Sequence, residues 1–291
     1  MNSPALRPAL RPALNPALKD GIEQRRPVLH LSGPKLRAAL ETLIAASESI
    51  GGIERFAEAV KLKADVIAER LGHGRATSLE RTAFEEVVRL MPTVRRRIVA
   101  LIEARGWLYV RTAIVALLHD AHVPGTVDQR IAVFERALRP SPIEELPTGS
   151  GDAPPRFLRD LAAELLHAVY PEHFPLMCRW VWDFKANTGM LREIWFDEGG
   201  ETAVDRMLID VDDGHETFLV LREELSQFLS DNGIFRDMLW YVDLLSAQIY
   251  GDYINAQGGA YLKTDFNAGA SDPLEHTRRI LGLDVRRASS E

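Results

Sequence analysis

Apolar residues recur at intervals of three and four along most of this chain, the spacing that lines one face of an α-helix. Leu36, Leu40, Leu43 and Ile44 set that spacing for a helix over Leu36 to Ser47. Thr77-Ser78-Leu79-Glu80 reads as a capping box opening a helix from Leu79 to Leu90, because a hydroxyl and a carboxylate there can satisfy free N–H groups. Pro92 suits the first turn of a helix running to Arg105, with Gly106 as its stop, and Trp107 to His119 follows as another. Thr126 and Gln129 mark a start for Val127 to Leu138, and Asp272-Pro273-Leu274-Glu275 opens a last helix that ends at Leu281. The most apolar stretch, Gly233 to Ile254, predicts a core helix. Asp243 within it must sit at a polar edge or be buried with a partner.

Two places break the helical pattern. Arg206 to Val211 and Thr217 to Leu221 flank Asp212-Asp213-Gly214-His215, which suits either one short β-hairpin or helix on both sides. Pro171 and Pro175 separate a helix ending near Val169 from a second one predicted to start near Leu176. On that second helix Leu176, Met177, Trp180, Val181 and Phe184 would form one stripe, with Cys178 and Trp182 on another side, so it should be buried between neighbours. The fold class is therefore all-α or nearly all-α, in two helical regions. A Pro-Ala-Leu-rich tail (1–32) leads into a helical domain (33–139). A Pro/Gly-rich linker (140–152) separates it from an aromatic-rich helical domain (153–284), and a short tail (285–291) ends the chain.

Charge sharpens the division. The 291 residues carry a net charge of −7. Residues 1–150 hold 22 Lys and Arg against 17 Asp and Glu, a net of +5, whereas residues 151–291 hold 13 against 25, a net of −12. The acidic half is the natural side for a basic partner, through steering that weakens with salt. No run of 18 apolar residues occurs, so no membrane span is expected. The N-terminus has no continuous apolar stretch of the kind a secretory signal needs, and a single cysteine, Cys178, leaves no disulfide framework; both fit a cytoplasmic protein.

Candidate chemistry falls in three places. From Gly51 the chain reads GGIERFAEAVKLKADVIAERL, in which Ala57 would pack where two helices meet, Leu62 would follow a turn and Ile67 would anchor the second helix. That spacing resembles small bacterial repressor domains. The resemblance implies a helix-turn-helix over residues 51–75, with Lys63, Arg70 and Arg75 facing DNA and Arg95, Arg96 and Arg97 adding backbone contacts. Lys61 stands where the turn calls for glycine, and Asp65 and Glu69 on the recognition helix would face phosphates poorly. A second neighbourhood gathers His167, His173 and Asp183 as catalytic candidates, close to three of the five tryptophans. Glu164 and His167 have the Glu-x-x-His spacing of di-iron bundles, present here once where such a site needs it twice. His119-Asp120-Ala121-His122 has donors for a metal, but at a helix end where histidines also complement the carbonyl dipole. The third is Asp210 to Glu216, whose clustered oxygens do not follow an EF-hand spacing.

No Walker A pattern, no GxGxxG after a strand and no GxSxG elbow occurs, so no cofactor is predicted. The leading expectation is a non-catalytic accessory or regulatory protein that acts by binding a protein partner, a basic one by the charge argument. The alternatives are a DNA-binding regulator and a metal-assisted enzyme centred on His167, His173 and Asp183.

Overall fold

The computed structural model describes residues 26–119, 127–139, 156–196, 208–257 and 274–284. Among them are eleven α-helices: α1 (Gly33–Ser47), α2 (Ile53–Leu71), α3 (Arg81–Arg89), α4 (Ile98–Arg105), α5 (Trp107–Leu118), α6 (Val127–Leu138), α7 (Phe157–Val169), α8 (Met190–Glu193), α9 (His215–Asp231), α10 (Met238–Ala256) and α11 (Glu275–Ile280). No β-strand occurs among the described residues, only two isolated bridges, Leu31 with Trp195 and Asp183 with Thr188. The protein is all-α.

Helix α10 is the hub. Its residues Trp240 to Ile249 are buried without interruption, because α1, α2, α8, α9 and α11 all pack on it. Helix α2 buries Phe56, Ala57, Val60, Ala64, Ile67 and Leu71 on one face, the stripe its periodicity demands, and lays it on α7 and α10. Helix α7 in turn touches α5 and α6. Helices from both sides of residues 140–152 thus share one core, while that linker and the tail up to residue 25 lie outside the described residues.

Several local expectations change. Residues 53–71 form one unbroken helix of 19 residues, so the turn that a helix-turn-helix requires is absent. With Lys61 rather than glycine at the turn position, nothing in the sequence breaks the helical run. The capping box does not form: Thr77 and Ser78 lie in a 3₁₀ turn and donate back to the carbonyls of Gly74 (2.8 Å) and Arg75 (3.2 Å), and α3 begins only at Arg81. Pro92 lies in turns that precede α4 rather than in its first helical turn. The hairpin is absent among the described residues, since 208–213 are non-helical and 215–231 are helix. The acidic run before α9 serves that helix: Asp212 accepts from Gly214 N–H (2.8 Å) and the Thr217 hydroxyl (3.2 Å), and Asp128 of α6 accepts from His215 N–H (3.1 Å). Carboxylates there complement the positive end of the helix dipole. No helix among the described residues is long and apolar enough to cross a membrane.

The predicted helix from Leu176 is also replaced. Residues 174–189 run as turns and extended backbone, largely buried. Asp160 of α7 holds the entry, accepting from Arg179 N–H (3.0 Å) and from the Arg179 guanidinium (2.6 and 3.1 Å). The turn closes at Gly189, whose φ of 127° and approach to the Val181 carbonyl leave no room for a side chain. A buried irregular segment and a helix apolar on two sides have the same hydrophobicity, which is why the pattern misleads there.

Candidate functional site

The residues proposed for catalysis stand in three different surroundings. His167 on α7 is buried, with Nδ1 2.7 Å from the Phe174 carbonyl and Nε2 2.7 Å from Asp243 Oδ2 on α10. A carbonyl can only accept, so Nδ1 carries a proton; the second bond joins an imidazolium to a carboxylate. Burial alone would lower the His167 pKa. The charge and hydrogen bond of Asp243, the Phe174 carbonyl and the charge of Glu164 outweigh it and hold the imidazole above its ordinary value. The adjoining cavity, lined by Leu176, Leu225 and Ser246 among others, has only about 20 Å³, room for a single water and not a substrate. His173 is exposed, and its carbonyl lies 3.3 Å from His215 Nε2. Asp183 is buried and pairs with Arg156 while accepting from Ala186 N–H (3.0 Å). Geometry therefore assembles no triad from His167, His173 and Asp183.

The Glu-x-x-His pair is also committed elsewhere. Glu164, 4% exposed, is bound by Lys63 of α2, 12% exposed, at 3.0 Å. Both nitrogens of His167 are engaged, and no group of three or more metal-binding side chains occurs among the described residues. Asp120 and His122 lie outside those residues. Lys63, proposed to face DNA, instead crosses inward to this buried carboxylate. Arg70 lies 4.0 Å from Glu86, and Arg75 is exposed.

Two concave surfaces among the described residues exceed 500 Å³. The first is a groove of about 890 Å³ between α2 and the loop leading into α10. Its apolar wall includes Phe235, 74% exposed, and Leu62, 46% exposed, with Ile234 and Tyr241. The loop is held by Asp237, a non-glycine residue at φ 51°, whose carboxylate takes the Lys61 ammonium at 3.2 Å. Residues in the left-handed region carry strain that the surroundings must support. Glu54, Glu58 and Asp65 line the groove from α2, with Arg55 and Lys61 among them and Arg236 on the loop opposite. The Tyr241 phenol is held above its ordinary pKa, first by burial and then by the charges of Glu54 and Asp237.

The second is a cleft of about 590 Å³ lined by Arg95, Arg96, Arg97, Arg156, Arg179 and Arg279. Three aspartates stand among them: Asp284 holds Arg95 through both carboxylate oxygens (3.1 and 3.2 Å), Asp160 holds Arg179, and Asp183 holds Arg156. Arg97 lies over the Phe157 ring at 5.8 Å. The expected cluster of Arg95, Arg96 and Arg97 is thus one wall of a larger arrangement. The arginines beside α7, in the irregular segment and on α11 are scattered along the sequence and carry no joint signal in it.

Comparison of the chain with known protein families, with curated proteins and with solved structures finds no match.

Proposed function

We propose that this is a non-catalytic accessory protein that docks a partner protein in the groove between α2 and the α9–α10 loop. The observation that carries the reading is Phe235, 74% exposed beside Leu62 in one groove. An aromatic anchor flanked by apolar and charged neighbours is the composition of a protein interface, and aromatic residues dominate the energy of such interfaces. The groove interleaves Glu54, Glu58, Asp65 and Asp237 with Arg55, Lys61 and Arg236, which favours a partner segment with an apolar centre and flanking charges of both signs.

A photo-crosslinking amino acid placed in cells at position 62 or 235 tests the reading, with position 208 as control. Leu208 is 83% exposed and lies outside the groove. The expected result is one protein adduct from positions 62 and 235, absent from position 208. Identical adducts from all three positions, or none from the groove, would refute it.

A further inference from the structure

Residues 4–19 repeat one unit of four: Pro-Ala-Leu-Arg ending at Arg7 and at Arg11, then Pro-Ala-Leu-Asn ending at Asn15 and Pro-Ala-Leu-Lys ending at Lys19. A proline at every fourth position takes an N–H out of each helical turn and out of any sheet ladder. Leu6, Leu10, Leu14 and Leu18 thus have no helix or strand of their own to bury them, and a surface already formed must do so. Prolines favour polyproline II geometry instead, with three residues per turn and about 3.1 Å per residue. In that geometry residues three apart share an edge. Pro4 then lies on the edge of Arg7, Pro8 on that of Arg11 and Pro16 on that of Lys19, each pair roughly 9 Å apart.

The groove between α2 and the α9–α10 loop offers the matching surface. Proline-rich segments dock on aromatic-lined grooves, and this one presents Phe235 and Tyr241 with Leu62 and Ile234. Glu54, Glu58 and Asp65 stand among those apolar residues, while Lys61 and Asp237 pair with each other. An edge that alternates proline with a cation suits a wall that alternates apolar groups with carboxylates. Asp20 and Glu23, which follow the repeats, supply the opposite sign that Arg55 and Arg236 in the same groove call for.

The point where the repeats join the described fold puts them within reach. Arg26 pairs with Glu216 and Glu223 of α9. That helix ends at Asp231, and the loop side of the groove begins at Gly233. From Glu223 to Asp231 is about 12 Å at 1.5 Å per residue. The last repeat ends at Lys19, seven residues before Arg26, and a chain of that length extends up to roughly 23–25 Å. The earlier repeats reach farther. A tethered segment meets its site at an effective concentration on the order of millimolar, so weak contacts suffice to fill it. We propose that the Pro-Ala-Leu repeats occupy the docking groove of their own chain and must be displaced when a partner binds. The inference rests on the reading of that groove as a docking surface.

Photo-crosslinking of the purified full-length protein, free of any partner, tests this with the photoreactive residue at position 62. The expected product has monomer mass, joins position 62 to residues 3–19 of the same chain, and forms in a yield independent of protein concentration. Leu6→Ser, Leu10→Ser, Leu14→Ser and Leu18→Ser together should reduce it severalfold, as should Phe235→Ala on the opposite wall. The same tail substitutions should raise the partner adduct formed in cells severalfold, and an unchanged adduct would overturn the displacement. A product of dimer mass would overturn the proposal in favour of a second copy in the groove. No tail adduct, or equal tail adducts from position 62 and from the exposed Leu208, would overturn it outright. The two readings fail separately. A partner adduct in cells without a tail adduct in the purified protein removes only the tail from the groove. A tail adduct without any partner adduct, even from the serine-substituted chain, removes the partner and leaves the tail in place.

Discussion

Removing the carboxylate of Asp243 separates an ion pair from a mere contact. Its Oδ2 lies 2.7 Å from His167 Nε2, with side chains 7% and 9% exposed. Asp243→Ala leaves the His167 ring buried with one nitrogen unmatched, and breaking a buried pair in this way costs about 3–5 kcal/mol. Asp243→Asn is different. A neutral His167 keeps its Nδ1–H bond to Phe174 and accepts at Nε2 from the new amide, so the substitution trades a charge-assisted bond for a neutral one and costs about 1 kcal/mol. The two variants also differ in pH dependence. In the native protein the His167 pKa stands above the ordinary 6.5. Its stabilising contribution is therefore full below 6.5 and is lost as pH rises through the raised value, with a slope of at most about 1.4 kcal/mol per pH unit. In Asp243→Asn burial is left as the main influence and lowers the pKa, so His167 adds no such loss on the alkaline side. Urea unfolding of the native protein and Asp243→Asn from pH 6 to pH 9 reads the difference, and other titrating groups cancel between them. The native advantage should shrink as pH rises. A difference that stays flat, or an Asp243→Ala cost below about 1 kcal/mol, would rule out the ion pair.

Three further predictions concern the same core. Lys63→Met strands the Glu164 carboxylate and should cost about 3–5 kcal/mol in urea unfolding, with most of it recovered in the Lys63→Met, Glu164→Leu double variant; equal losses in the single and double variants would contradict the pairing. Cys178 should resist thiol reagents in the native state and react once the chain is denatured, because burial, and then the charges of Glu164 and Asp160, push its pKa well up; a reaction at the rate of a free thiol would show the junction to be open. Gly189→Ala should destabilise by about 2 kcal/mol or more, since the added Cβ would lie 2.7 Å from the Val181 carbonyl oxygen at a φ of 127°, and an unchanged unfolding midpoint would place the turn elsewhere.

Legibility follows the range of the interactions. Helices α5, α6 and α10 are written in local spacing and in stops such as Gly106, and the sequence locates them to within a few residues. For Asp243 the sequence leaves two places open, a polar edge or a buried site with a partner, and the fold takes the second. That partner, His167, lies 76 residues away, and no spacing announces it. Helix α2 misleads because the apolar spacing of two short helices joined at Leu62 is also that of one long helix, and only a residue able to bend the chain distinguishes them. Lys61 is not one. The segment from Leu176 misleads for a different reason: its backbone is satisfied by Asp160 and by short turns, so its polar groups need no helix.

The charge division along the chain is a sequence property that the packing does not keep as two separate surfaces. Residues 1–150 are net positive and residues 151–291 net negative, yet the packing does not keep them apart. Arg95, Arg96 and Arg97 come from the first half, Arg156, Arg179 and Arg279 from the second, and the fold collects all six in one cleft. Glu54, Glu58 and Asp65 belong to the basic half and line the same groove as Phe235, interleaved with Arg55 and Lys61. Local potential depends on distances of a few ångströms in the folded chain, because solvent ions screen exposed charges beyond about 10 Å. Summing charge over a hundred residues averages across that length many times. Surfaces that draw on both halves of the chain therefore follow from the helix packing around α10.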